Sequence, residues 1–153
     1  MKKITLLALL AYFGFCQLMG GNNLYGDYNT LLNSYRNTVA GNSNNLGSSS
    51  YNTVLGSDNK LFDSNANFAA GNSNYFQGSN LNFNVGDRNA YIGSNYNTNY
   101  GNNNAYINSH TNTVGGDNNL LLAANANNVY GGGNAVMNSD RNYIYGRNNL
   151  VTN

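Results

Sequence analysis

The sequence predicts an all-β, single-chain β-solenoid of about nine coils, each 15 residues long. Three observations carry this. A glycine recurs every 15 residues at Gly26, Gly41, Gly56, Gly71, Gly86, Gly101, Gly116, Gly131 and Gly146. An asparagine follows three residues after each, from Asn29 to Asn149, and another stands four residues before each, from Asn22 to Asn142. No insertion or deletion breaks the register. A fixed short period means that one coil stacks on the next. Low charge with so much Asn, Gly and Tyr also fits a disordered tract, but such tracts need no fixed phase.

In chain order, segment 1–16 reads as a secretory signal and 17–153 as the solenoid domain. Lys2 and Lys3 form the positive start, and Ile4 to Phe15 the apolar stretch. Gly14 and Cys16 are the small residues before a cut ahead of Gln17. The alternatives are a cut after Gly20, which sets Leu18 where a small residue is preferred, and a retained anchor. The stretch is too short for a membrane span, so the expected mature form is extracellular and free of the membrane. Cys16 is the only cysteine; if it leaves with the signal, no disulfide staples the fold. Of seven Lys and Arg, five lie after the expected signal, against six Asp, and there is no Glu. Near-neutral charge gives nucleic acid and anionic membranes nothing to hold.

Within a coil, with the first asparagine as position 1, the consensus is N-x-V-x-G-x-x-N-x-L-x-x-S-x-x. Position 3 holds Leu24, Val39, Val54, Ala69, Asn84, Asn99, Val114, Val129 and Ile144. Position 10 holds Leu31, Leu46, Leu61, Phe76, Tyr91, Tyr106, Leu121, Val136 and Val151. Alternation with period two points positions 1, 3, 8 and 10 inward and 2, 4, 9 and 11 outward. Gly at position 5 permits a corner with positive φ. Small residues from Ser34 to Ser139 fit the second corner at position 13. The two core columns compensate: Ala69 faces Phe76, Asn84 faces Tyr91, and Asn99 faces Tyr106. A thin coil tolerates neither void nor overfilling, so its volume is conserved, and the Asn amides are placed to satisfy the Tyr hydroxyls. The asparagine columns read as stacked amide ladders. The alternative, a row of calcium or sugar ligands, lacks the regular aspartates that calcium-binding repeats need.

Catalytic chemistry is not legible. His110 is the only histidine, sits in a corner column and has no thiol or carboxylate cluster beside it at ligand spacing. The Gly131-Gly132-Gly133 run reads as a turn, since no Lys-Ser/Thr follows to make a phosphate loop. The Ser column lacks a base. The expectation is a non-enzyme with no cofactor and no metal.

The run Asn37-Thr38-Val39-Ala40-Gly41-Asn42-Ser43-Asn44-Asn45-Leu46 resembles the repeat of grass ice-recrystallisation-inhibition proteins, N-x-V-x-G-x-x-N-x-V-x-x-G. So does Asn112-Thr113-Val114-Gly115-Gly116-Asp117-Asn118-Asn119. The resemblance runs from Asn22 onward, with Leu often replacing the second Val and Ser the second Gly. It implies a left-handed β-roll and ice contact on the strand of the N-x-V-x-G half. The implied ice-binding residues are Thr38, Ala40, Thr53, Ala70, Thr98, Thr113 and Gly115. Phe68, Phe83 and Tyr143 interrupt that face. The head repeats of trimeric bacterial adhesins are similar but shorter.

The opposite outer face is more apolar. Ala90, Ile92, Ala105, Ile107, Leu120, Leu122, Ala135 and Met137 form a strip of the kind that marks an interface, or else some of them merely cover corners. The leading expectation is a secreted, non-enzymatic ice-binding protein whose partner is an ice surface. The alternative is an extracellular coat protein that associates with itself or with other coat proteins. A third reading is a glycan held by exposed tyrosines.

Overall fold

The computed structural model describes residues 21–153. The expected signal segment 1–16 and the start of the expected solenoid domain lie outside the described residues. Among the described residues, eighteen strands of three residues each run from β1 (Asn23–Tyr25) to β18 (Leu150–Thr152). They make two nine-stranded sheets. Odd-numbered strands, holding positions 2 to 4, stack into the first sheet; even-numbered strands, holding positions 9 to 11, stack into the second. Every pairing is parallel and joins residues one period apart, as in Thr38↔Thr53, Val39↔Val54 and Ala40↔Leu55. Side chains of one column therefore form straight ranks. At roughly 4.8 Å per strand the nine coils make a rod about 40 Å long.

Three-residue strands suit this sequence because only the middle residue faces inward. Val39, Leu46, Val54, Leu61, Ala69, Phe76, Tyr91 and Tyr106 are all fully buried. The expected in-and-out alternation is therefore realised. The largest rings stack along the axis: Phe76 on Tyr91 and Tyr91 on Tyr106, each with centroids 4.6 Å apart. Opposite these rings sit Ala69, Asn84 and Asn99, so each coil keeps its width.

The corners explain the fixed polar columns. At position 1, the Asn52 backbone N–H donates to Asn37 Oδ1 at 2.9 Å, and Asn52 Nδ2 donates to the Ser64 carbonyl at 2.8 Å. At position 8, Asn59 repeats the pattern with Asn44 Oδ1 and the Gly71 carbonyl. At position 13, the Ser64 N–H donates to Ser49 Oγ, whose hydroxyl donates to the Leu61 carbonyl. Among the described residues no buried side-chain polar atom lacks a partner. A buried amide is tolerated only when satisfied, and the stack supplies that satisfaction at each step.

Gly86 shows why position 5 admits no side chain. Its φ is +139°, and a Cβ there would meet the Gly101 carbonyl oxygen at 2.0 Å. Other corners are mostly turned without glycine. Positions 7, 12 and 15 adopt left-handed conformations, as in Ser43 (φ 58°), Ser48 (φ 49°) and Tyr51 (φ 61°). Leu81 and Thr111 take the same conformation at φ 57° and 59°. Each such residue costs about 1–2 kcal/mol. A bond to the preceding coil offsets it: Leu81 N–H reaches the Asn65 carbonyl at 3.1 Å, and Thr111 N–H the Asn95 carbonyl at 3.0 Å.

Candidate functional site

The candidate surfaces are the outer faces of the two sheets, since the interior is closed. On the first sheet, Thr38, Thr53, Thr98 and Thr113 stand in one rank, half-buried between neighbouring strands. Thr38 is in register with Thr53 and Thr98 with Thr113. Ala40 and Ala70 lie in the adjacent rank, in strands β3 (Thr38–Ala40) and β7 (Phe68–Ala70).

The structure divides this face. Phe68 and Phe83 stack with centroids 4.9 Å apart and planes 8° from parallel. Tyr100 leans on Phe83 at 5.7 Å. This aromatic ridge separates Thr38 and Thr53 from Thr98 and Thr113. A second cluster closes the far end, where Tyr130 lies 5.8 Å from Tyr145 and 5.8 Å from Tyr143. Gly115 is not an open step: a Cβ there would sit 3.1 Å from a carbon of the Tyr130 ring. Sequence alone gives no sign of that, because a ring leaning back one coil leaves no periodic mark.

On the second sheet the expected strip is continuous. Strands β10 (Ala90–Ile92), β12 (Ala105–Ile107), β14 (Leu120–Leu122) and β16 (Ala135–Met137) pair in register. Their outward residues are Ala90, Ile92, Ala105, Ile107, Leu120, Leu122, Ala135 and Met137, with no charge or ring among them. Ile92 is 39% and Leu120 36% exposed, and the other six are half-buried. Earlier coils are rougher: Phe62 folds over Gly47 and leans on Tyr75 at 6.3 Å.

Corners carry polar ladders on the outside too, and they run opposite to the inner ones. Along the inner columns a side chain accepts from the following coil; along positions 6 and 14 it accepts from the preceding one. Thus Asn80 N–H donates to Asn95 Oδ1 at 2.6 Å, Asn95 N–H to His110 Nδ1 at 3.1 Å, and His110 N–H to Asn125 Oδ1 at 3.0 Å. His110 is therefore a half-buried rung and not a freely solvated corner. Accepting at Nδ1 leaves the neutral ring proton on Nε2. Position 6 runs likewise from Asn72 to Asp87, Asn102 and Asp117.

Two groups in the core are electrostatically unusual. Burial pushes the phenols of Tyr91 and Tyr106 well above the ordinary tyrosine range. Both are interior and satisfied by Asn84 and Asn99, which gives them a structural role. Among the described residues no three His, Cys, Asp or Glu come together. A shallow hollow beside Gly131, Gly132 and Gly133 is lined also by Asp117 and Arg147. It is an open corner where glycine replaces the usual side chains.

These features define a class: a two-sheet parallel β-solenoid whose outer faces present straight ranks of side chains. No protein-family model matches the chain, and no curated protein matches it.

Proposed function

We propose that this is a secreted, non-enzymatic ice-binding protein whose ice contact is the Thr-bearing face of the first sheet. The observation that supports the reading is the zero-offset register of Thr38 with Thr53 and of Thr98 with Thr113. Methyl and hydroxyl groups held at one strand spacing form an ordered array that holds water in a regular layer. In the neighbouring rank Ala40 and Ala70 are small, with Leu55 exposed between them. The aromatic ridge limits each patch to a few coils, so the expected activity is inhibition of ice coarsening with little freezing-point depression. The test is a recrystallisation assay on purified protein. Thr98→Tyr or Thr113→Tyr should lift the face from the crystal and weaken inhibition, with folding nearly unchanged because these side chains point outward. Ice that coarsens in the protein as it does in buffer sinks the reading.

A second reading, self-association within an extracellular coat, is favoured by the uncharged strip from Ala90 to Met137 on the second sheet. Exposed aliphatic ranks of this length favour association. Sedimentation should then show dimers or larger species, and Leu122→Lys should shift them toward monomer. A clean monomer at high concentration counts against it.

A further inference from the structure

We propose that the C-terminal half of the first sheet binds a neutral, extended polysaccharide of the β-1,4-linked kind. The inference rests on two ranks running side by side. Strands β11 (Thr98–Tyr100), β13 (Thr113–Gly115) and β15 (Asn128–Tyr130) present Thr98, Thr113 and Asn128 outward, each in register with the next. Two residues along the same strands, and in β17 (Tyr143–Tyr145), the face presents Tyr100, Gly115, Tyr130 and Tyr145. Through β15 the first rank is polar and small, and Tyr143 ends it in β17; the second holds three tyrosines and Gly115.

The tyrosines are not needed by the core. Beneath them lie Asn99, Val114, Val129 and Ile144, already buried. Yet Tyr100 is 55% and Tyr145 76% exposed, while Tyr130 leans back over Gly115. Rings left in water on a sheet face mark a ligand surface more than a folding device. Their arrangement states the ligand's shape. Neighbouring strands are about 4.8 Å apart, so Tyr100 and Tyr145, three coils apart, bracket a track of about 14 Å along the rod, with Tyr130 between them. That track accommodates a few successive sugar rings of a straight chain. A glycan with equatorial linkages is a ribbon whose ring faces carry C–H groups and whose edges carry hydroxyls. Tyr rings stack on the faces. Thr hydroxyls and the Asn128 amide offer donors and acceptors to the edge.

Charge selects among ligands. Neither rank carries Lys or Arg, so an anionic glycan or a single nucleic-acid strand finds no cation along the track. A neutral polysaccharide needs none.

The test is retention of the full chain on insoluble cellulose and, separately, on insoluble chitin, with single-stranded DNA and heparin as anionic comparisons. Retention on either polysaccharide is expected, and which one it is identifies the sugar. Tyr145→Ala should weaken binding about three- to tenfold, and Tyr100→Ala with Tyr145→Ala should remove most of it. Tyr145→Thr is the companion variant, since Thr keeps the strand preference. Tyr25→Ala, on the first sheet at the other end of the rod, should change nothing. Retention on neither solid, undiminished retention of the folded double variant, or stronger binding to DNA or heparin overturns the proposal. Recrystallisation inhibition read on the same Tyr145 variants should be unchanged, so this inference and the ice reading fail separately.

Discussion

The hydroxyl of Tyr91 donates to Oδ1 of Asn84 across the interior at 3.0 Å, joining the two sheets through one coil. Tyr106 does the same to Asn99 at 3.0 Å. The coils are also tied to each other, because Asn99 Nδ2 donates to Asn84 Oδ1 at 2.8 Å. Large ring and small amide thus fill the width that Val and Leu fill elsewhere, and every polar atom brought inside is met.

That relationship predicts a coupled pair. Tyr91→Val should leave a cavity between Phe76 and Tyr106 and cost about 2–4 kcal/mol. Adding Asn84→Val should recover part of the loss, because the coil returns to the volume of Val54 with Leu61. Chemical denaturation of the two single variants and the double checks this. A double variant no more stable than Tyr91→Val would mean that the pairing carries no coupling.

The same tyrosines predict alkaline sensitivity. Burial raises both phenol pKa values above the unfolded value. The folded state then holds protons that the unfolded chain releases. Their contribution is complete below the unfolded pKa of about 10 and is lost as pH rises from there toward the folded values. Between those limits stability should fall by about 1.4 kcal/mol per pH unit for each phenol. Denaturation curves taken at rising alkaline pH should show this slope, and Tyr91→Phe with Tyr106→Phe should flatten it.

Inner and outer ladders should differ in strength. Asn52 accepts from the Asn67 backbone N–H and donates to the Ser64 carbonyl, all in the interior. Asn52→Ala should strand both groups and cost about 3 kcal/mol or more. Asn95 is a half-buried outer rung, where water can replace the lost bonds, so Asn95→Ala should cost about 1 kcal/mol or less. Equal losses in thermal melts would contradict this account of the ladders.

Glycine substitutions should separate close approach from conformation. Gly86→Ala drives a methyl group into the Gly101 carbonyl and should cost about 3–5 kcal/mol or prevent folding. Gly78 also has positive φ, at +56°, but nothing lies within 4 Å of where a Cβ would go. Gly78→Ala should cost only about 1–2 kcal/mol, the left-handed penalty. Comparable melting temperatures for the two variants would be inconsistent with the stacking geometry.

Much of the fold was legible because every coil repeats one solution. A column that is always Asn or Gly states a corner, and Ala69 with Phe76 or Asn84 with Tyr91 states which columns face each other. The candidate surfaces were legible as ranks, since outward positions follow from the same alternation. Their relief was not. Nothing in the spacing tells that Tyr130 folds over Gly115 or that Phe68 and Phe83 stack into a ridge. The left-handed corners at Leu81 and Thr111 also leave no signature, because bonds to the preceding coil override residue preference there.

By itself, then, the sequence determined the period, the inward columns and the compensated core, since these depend on which residue types survive stacking one coil on another. Only the tertiary structure decided the opposite polarity of the inner and outer ladders, the role of His110 as a rung, and which parts of each face are flat. Those outcomes depend on side-chain torsions and contacts between coils. Several arrangements satisfy one coil alone, and packing against the next coil selects among them.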